Sequence, residues 1–336
     1  MPFTKGGIYV RDENRLSYRD KVIDKAENET AELPVQQTNK IPYTFFGMSN
    51  LVKKLSEKDF GDEVRAIKVS GINKDIIHVE FGVWADTQIN SFDMSVHDVV
   101  CCYYEEQQPY FTTQQIAQKL KGKKGKPSKT LIASVEYSLF KMRKAVIFLD
   151  HSEQFDAFKK AQEYDEDTEP KKKFDYENLL YIKSNVEVNM NNNITVGHRL
   201  LAIPPLLEYQ KIYKQLATLD DSLTETSGFL THTEETIALK SSLIRRIESM
   251  KNMRKRKLKK HNTKDISLEK FYIQLRRDDL LDCENKKRQR FFKKITDVLD
   301  AFVTNGYIKS YKHSGNMKNG KILIGGIYDK LSDRYY

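Results

Sequence analysis

The sequence predicts an α+β fold built from two tandem copies of one small unit, each with three helices followed by paired strands. Three observations predict it. An apolar stripe at helical spacing stops at Asn305-Gly306 and gives way to two short strand-like stretches around Ser314-Gly315-Asn316. A similar succession, three helices and then a strand, occupies residues 91–150. Pro204-Pro205 stands between the two. This order is that of a helix-turn-helix with a β-wing, so two winged-helix domains are expected.

Residues 1–40 are polar and charged and read as a mobile arm with one short helix. The first domain is expected over 41–203. Val64, Ile67 and Val69 suggest one strand, and Ile76–Phe81 another after a turn at Gly71–Asn73. Ser91 is expected to cap a helix carrying Met94, Val96, Val99, Val100 and Tyr103. Thr112 or Thr113 caps a short helix with Ile116 and Leu120 inward. A lysine-rich loop (Lys119, Lys121, Lys123, Lys124, Lys126 and Lys129) leads to Ser128, the cap of a third helix with Ile132, Val135, Leu139 and Met142 on one face. Val146–Leu149 is a strand. Residues 152–173 turn from acidic to basic and read as an insertion in the first wing, whose hairpin returns through Leu179–Tyr181 and Val186–Val188, turns at Asn191–Asn193 and ends at Leu200–Ile203.

The second domain is expected over 204–328, with a tail at 329–336. Leu207, Ile212 and Leu216 sit on its opening helix. Thr233 opens a long helix with Ile237, Leu243, Ile244 and Ile247, which runs into seven bases among residues 251–260. Ile266–Glu269 opens a helix through Phe271 and Leu275. The last helix carries Phe291, Ile295, Val298, Leu299 and Phe302 as its stripe, with Asp282 as the expected N-cap and Gly306 as the C′ glycine. Its opposite face holds Lys286, Gln289, Arg290 and Lys293, then Asp297 and Asp300. A helix dipole favours the reverse order, acids first and bases last. Helix stability therefore does not ask for these early bases, whereas a nearby polyanion would.

The bulk charge agrees. The 336 residues carry a net charge of +10, unevenly spread. Residues 241–336 hold 25 Lys and Arg against 11 Asp and Glu, whereas the rest hold 32 bases and 36 acids. A basic helix followed by a basic hairpin suits duplex DNA, and a solvated charged face is the alternative.

Catalytic chemistry is not expected. Gly122–Ser128 fails the spacing of a phosphate loop, because Pro127 separates Lys126 from Ser128. The seven histidines are scattered, and His97 reads as a structural histidine beside an apolar helical face. Cys101, Cys102 and Cys283 form no CxxC pair, so neither a disulfide framework nor a metal site is expected. No cofactor is expected. The N-terminal stretch lacks an apolar signal core and no run reaches membrane-spanning length, so the expected location is the cytoplasm and no membrane partner is expected.

Several stretches carry a resemblance to a known family. They are Ser91–Val100, Phe111–Ala117 and Ser138–Arg143 in the first domain, and Ile203–Tyr209, Leu243–Lys251 and Lys286–Ile308 in the second. Together, over roughly residues 41–325, the chain resembles the Rep-type, iteron-binding replication initiators of plasmids and mobile elements. The resemblance implies a non-catalytic initiator that binds direct repeats in duplex DNA, with a homodimer contact through the first domain and host replication proteins as partners. In that frame Lys286, Gln289, Arg290 and Lys293 face the major groove. Lys312, Lys318 and Lys321 in the wing hold phosphates, as do Arg254, Lys255, Arg256, Lys257, Lys259 and Lys260. The loop lysines Lys123, Lys124, Lys126 and Lys129 give the first domain a possible DNA contact of its own. A winged-helix transcriptional regulator would use the same residues, and a protein-interaction module would use the same fold with its lysines for solubility.

Overall fold

The computed structural model describes residues 40–44, 46–56, 65–70, 76–122, 125–153, 156, 174–190, 193–212, 216–220, 232–254, 265–327 and 332–333. The chain enters through β1 (Lys40–Tyr43), α1 (Phe46–Leu55), β2 (Arg65–Ser70) and β3 (Ile76–Trp84). It continues through α2 (Ser91–Glu105), β4 (Tyr110–Phe111), α3 (Thr113–Lys121), α4 (Lys129–Lys144), β5 (Val146–Asp150), β6 (Phe174–Asn178), β7 (Ile182–Met190) and β8 (Asn193–Leu200). α5 (Pro205–Ile212), β9 (Ala217–Asp220), α6 (Glu234–Arg254), β10 (Asp265–Ser267) and α7 (Leu268–Gln274) follow. A 3-10 turn at Asp278–Leu280 then leads to α8 (Asn285–Thr304), β11 (Ile308–Ser314), β12 (Lys321–Ile327) and β13 (Ser332–Asp333). The fold is thus mixed helix and sheet. The expected helix at residues 1–39 and the turn at Gly71–Asn73 lie outside the described residues.

Local chemistry sets the helix starts. Thr112 caps α3 and shares a capping box with Gln115, and Ser128 accepts the Leu131 N–H at 3.1 Å to open α4. α2 starts one residue earlier than expected. Its cap is Asn90, which accepts the Phe92 and Asp93 N–H groups, because the Ser91 hydroxyl is taken by Lys53 Nζ at 3.0 Å. In α6, Thr233 Oγ1 accepts the Thr236 N–H while Thr236 Oγ1 accepts the Thr233 N–H.

Two stretches share one order of elements. The first runs α2, β4, α3, α4 and, after the intervening β5 and β6, β7 and β8, and its sheet is ordered β4-β8-β7. The second runs α6, β10, α7, α8, β11, β12, and its sheet is ordered β10-β12-β11. All pairs are antiparallel, with Tyr110 opposite Arg199 in one and Ser267 opposite Lys321 in the other.

Two expectations need correction. The 152–173 stretch is not an insertion in the β7–β8 hairpin. It leaves β5 and returns through β6, which pair with each other and extend the sheet β2-β3-β5-β6. The apolar run of β5 finds an apolar partner in β3, with Ile147 opposite Val83 and Leu149 opposite Phe81. Residues 41–43, expected with the first domain, and Lys40, expected in the arm, pair instead with β9, Ile41 opposite Leu219, and β13 joins the other side of β9.

Two main cores result. Val96, Val99 and Val100 of α2 anchor the first with Ile116, Val135, Leu139, Phe81 and Ile147. Leu243, Ile244 and Ile247 of α6 anchor the second with Phe271, Tyr272, Ile295, Val298, Phe302, Ile322 and Ile324, joined by Ile41 and Tyr43 of β1. α6 serves both cores, since its Ile237 belongs to the first. Burying one such aliphatic side chain is worth about 1.5–3 kcal/mol, so neither core is independent of α6. No helix among the described residues is long and apolar enough to cross a membrane.

Candidate nucleic-acid interface

α8 presents its face because its stripe is fully committed inward. Phe291, Ile295, Val298, Leu299 and Phe302 are buried, which leaves Lys286, Gln289, Arg290 and Lys293 exposed on the other side. The helix ends as the sequence implied. Gly306 takes φ +70, and the Tyr307 N–H returns to the Phe302 carbonyl at 2.8 Å. Its start differs from expectation. Asp282 is not the N-cap, because its carboxylate meets Lys318 Nζ at 3.2 Å. The cap position falls to Glu284, whose side chain makes no capping bond.

Arg288, which the sequence reading passed over, takes on the organising role. Its buried guanidinium donates to the carbonyls of Leu280 (2.7 Å), Leu281 (3.2 Å) and Cys283 (3.0 Å) and to Asn285 Oδ1 (2.8 Å). It thereby ties the incoming turn to the first turn of α8. The signal was present in the spacing: Arg288 lies on the stripe, three residues before Phe291 and seven before Ile295.

The β11–β12 hairpin is held against α8 by aromatic contacts. Phe292 and His313 approach with ring centroids 4.7 Å apart, and the Tyr311 hydroxyl donates to Asp300 at 2.7 Å. Burial and the Asp300 carboxylate push the Tyr311 phenol well above its ordinary range, so it stays a donor. At the β11–β12 turn Asn316 Oδ1 accepts the Lys318 and Asn319 N–H groups. Gly320 is required there, since a Cβ would fall 2.2 Å from the Asn316 carbonyl oxygen.

The expected site residues separate by their partners. Lys286, Gln289, Arg290 and Lys312 are exposed and have no hydrogen-bond or ion-pair partner among the described residues. Lys293 reaches Asp297 at 3.3 Å, an exposed pair of small energetic weight. Lys318 and Lys321 are engaged with Asp282 and Asp265, at 3.2 and 2.8 Å. A phosphate contact from either would have to replace an internal carboxylate. Just outside the face, Arg277 and Lys287 both meet Asp279, and the Arg277 hydrogen bond, against a small burial penalty, holds that carboxyl far below its ordinary range. The free cations of the described face are therefore concentrated on the N-terminal half of α8 and at Lys312.

Lys126 and Lys129 are exposed at the start of α4. Arg254 is the last residue of α6, and its side chain lies outside the described set, as do Lys123, Lys124, Lys255, Arg256, Lys257, Lys259 and Lys260. α4 holds the place in the first unit that α8 holds in the second, yet its surface differs. Tyr137 and Phe140 are 55% and 44% exposed, with nearly parallel rings 6.5 Å apart, and Lys141 and Lys144 lie over them. Lys141 is neutralised by the buried Asp93.

His97 and the adjacent Asp98 are buried rather than presented to a ligand. Asp98 accepts the Thr44 N–H at 3.0 Å and its hydroxyl at 2.7 Å, and pairs with Arg245 of α6. His97 Nδ1 sits 3.6 Å from the buried Cys101 sulfur. Cys102, also buried, has its thiol pushed up to about 12 by desolvation. No cluster of His, Cys, Asp and Glu suited to a metal occurs among the described residues.

No protein-family model matches the chain, and no curated protein matches it. Among solved structures, the chain is similar to domains 2 and 3 of RctB, with 11% sequence identity. The similarity covers 83% of this chain and 97% of that one, at a TM-score of 0.35, a level at which it carries no argument about fold or function.

Proposed function

We propose that the chain is a non-catalytic, sequence-specific duplex-DNA-binding protein that acts as the replication initiator of a plasmid or mobile element in the bacterial cytoplasm. The observation that carries the DNA reading is the set of unpartnered, exposed Lys286, Gln289 and Arg290 on one face of α8, beside exposed Lys293. The repeated element order, with the first strand of each unit paired to its last, supports reading both units as winged helices. In that reading α8 enters the major groove. Arg290 reads guanine and Gln289 reads adenine through bidentate hydrogen bonds. Lys286, Lys293 and Lys312 contact phosphates and supply salt-dependent affinity without sequence discrimination. The initiator role rests on the sequence resemblance, as do direct repeats as the target and host replication proteins as partners. A homodimer contact through the first unit rests on that resemblance too.

Selection of bound fragments from a random duplex pool tests the reading. Recovery of a repeated motif is the expected result, and a lone palindrome would favour a transcriptional regulator instead. No binding near physiological salt would leave a protein-interaction module. On the selected fragment, Arg290→Ala is expected to cost about 1–3 kcal/mol, with little loss on random duplex. Equal losses on both would remove Arg290 as a base reader.

A further inference from the structure

The first turn of α6 lies between the two units. Ser134 Oγ of α4 donates to Glu234 Oε1. On the next residue, Glu235 Oε2 accepts Lys294 Nζ of α8, and Glu235 Oε1 accepts the Arg277 guanidinium. Arg277 is fixed in turn by Asp279 at 2.8 Å and by the Phe291 ring, 4.8 Å from its centroid. Two neighbouring carboxylates of one helix therefore reach α4 and α8 at once. Carboxylates at this position also suit the N-terminal end of the α6 dipole.

The same two units are tied again on α1 and α7. Gln274 Nε2 donates to Asn50 Oδ1 at 2.7 Å, Lys53 Nζ donates to the Gln274 carbonyl at 3.2 Å, and Arg276 donates to the Lys53 carbonyl at 3.1 Å. Farther along α6, Arg245 donates to the Met94 carbonyl at 2.9 Å and to Asp98. These contacts join α1 to α7 and α6 to α2, whereas α4 and α8 are linked through the first turn of α6.

We propose that Glu234 and Glu235 are positioning residues that hold α4 and α8 at one fixed separation, so that the exposed faces of both helices act as a single composite surface on DNA. The fixed separation stands on the contacts alone, and its use on DNA rests on the reading of α8 given above. The surface so formed is cationic where α8 lies, at Lys286, Arg290 and Lys293, and aromatic where α4 lies, at Tyr137 and Phe140.

The test uses the full chain carrying Cys283→Ser with spin labels at Ala133→Cys on α4 and Val303→Cys on α8, both exposed positions. Pulsed electron resonance on this parent should give one narrow distance population. Ser134→Ala frees the α4 end and Lys294→Met frees the α8 end, and both leave the two carboxylates in place. Either change is expected to broaden the distribution. A parent that is already broad would overturn the fixed separation, and variants as narrow as the parent would overturn the positioning role of Glu234 and Glu235.

The DNA arm uses the fragment that the parent selects from random duplex. Removing carboxylates from a basic face strengthens duplex binding by charge alone. Weakening of the selected fragment by roughly tenfold in Glu234→Ala/Glu235→Ala, with random duplex bound as well or better, is therefore the signature of lost positioning. Unchanged or tighter binding of the fragment overturns the composite surface. Failure to select any fragment overturns the DNA reading and the composite surface with it, while the distance measurement still decides the separation.

Discussion

Replacing Asp98 by Ala should destabilise the chain strongly, and the structure sets the scale. Asp98 is fully buried, and its carboxylate meets Arg245, the Thr44 N–H and the Thr44 hydroxyl. Without it, the buried guanidinium keeps only the Met94 carbonyl, and its Nε already has no acceptor among the described residues. Removing one partner of a buried ion pair costs about 3–5 kcal/mol, because the other charge is left desolvated. Losing the two Thr44 bonds adds about 1 kcal/mol each at most. Against a typical stability of about 5–15 kcal/mol, this is enough to unfold a large fraction of the molecules. Urea unfolding at neutral pH measures it. The paired change Asp98→Leu/Arg245→Met removes both charges and should recover most of the loss. A cost below about 1 kcal/mol for Asp98→Ala, or a double variant no more stable than the single, would refute the argument. The pH dependence has a definite sign. Burial raises the Asp98 carboxyl, but Arg245, aided by His97 and Thr44, outweighs it and holds the group below its ordinary value. The pair is therefore fully stabilising above the unfolded carboxylate range and is lost only as pH falls through the lower folded value. Asp98→Asn should remove that acid-side dependence.

Gly306→Ala places a Cβ in open space at φ +70, so only the backbone penalty remains, and urea unfolding should show a loss of about 1 kcal/mol. His198 packs between Ser184, Thr113 and Glu136, and burial, outweighing Glu136, depresses its imidazole below the ordinary value. The neutral form is favoured in the folded state, so stability should fall as pH drops through the unfolded imidazole range toward the lower folded value. His198→Gln should flatten that part of the profile in pH-dependent thermal melts.

Much of the local structure was legible in the sequence because it depends on neighbours a few residues apart. The caps Thr112 and Ser128, the C′ glycine Gly306 and the inward stripe of α8 all follow from local spacing. The exposed quartet of α8 followed from the same wheel. Where local reading failed, a distant partner had intervened. Ser91 lost its capping role to Lys53, and Asp282 to Lys318. The Val146–Leu149 strand looked like part of a wing, but β3 offered it a more apolar neighbour.

The sequence by itself determined the helices α2 to α8, where the basic third lies and which side of α8 is polar, but not α1 or the strands β1, β4, β6, β9 and β13. Hydrophobic period and capping chemistry act within one or two turns, so a linear reading contains them. Tertiary structure alone decided which of the basic residues remain free. Lys318 and Lys321 look identical to Lys286 and Lys312 in sequence, yet among the described residues only the first two find carboxylates. It also decided that α4 and α8 meet neighbouring glutamates of α6. The contact between Ser134 and Glu234 spans 100 residues of chain, and only the packing of α6 into both cores brings those groups together.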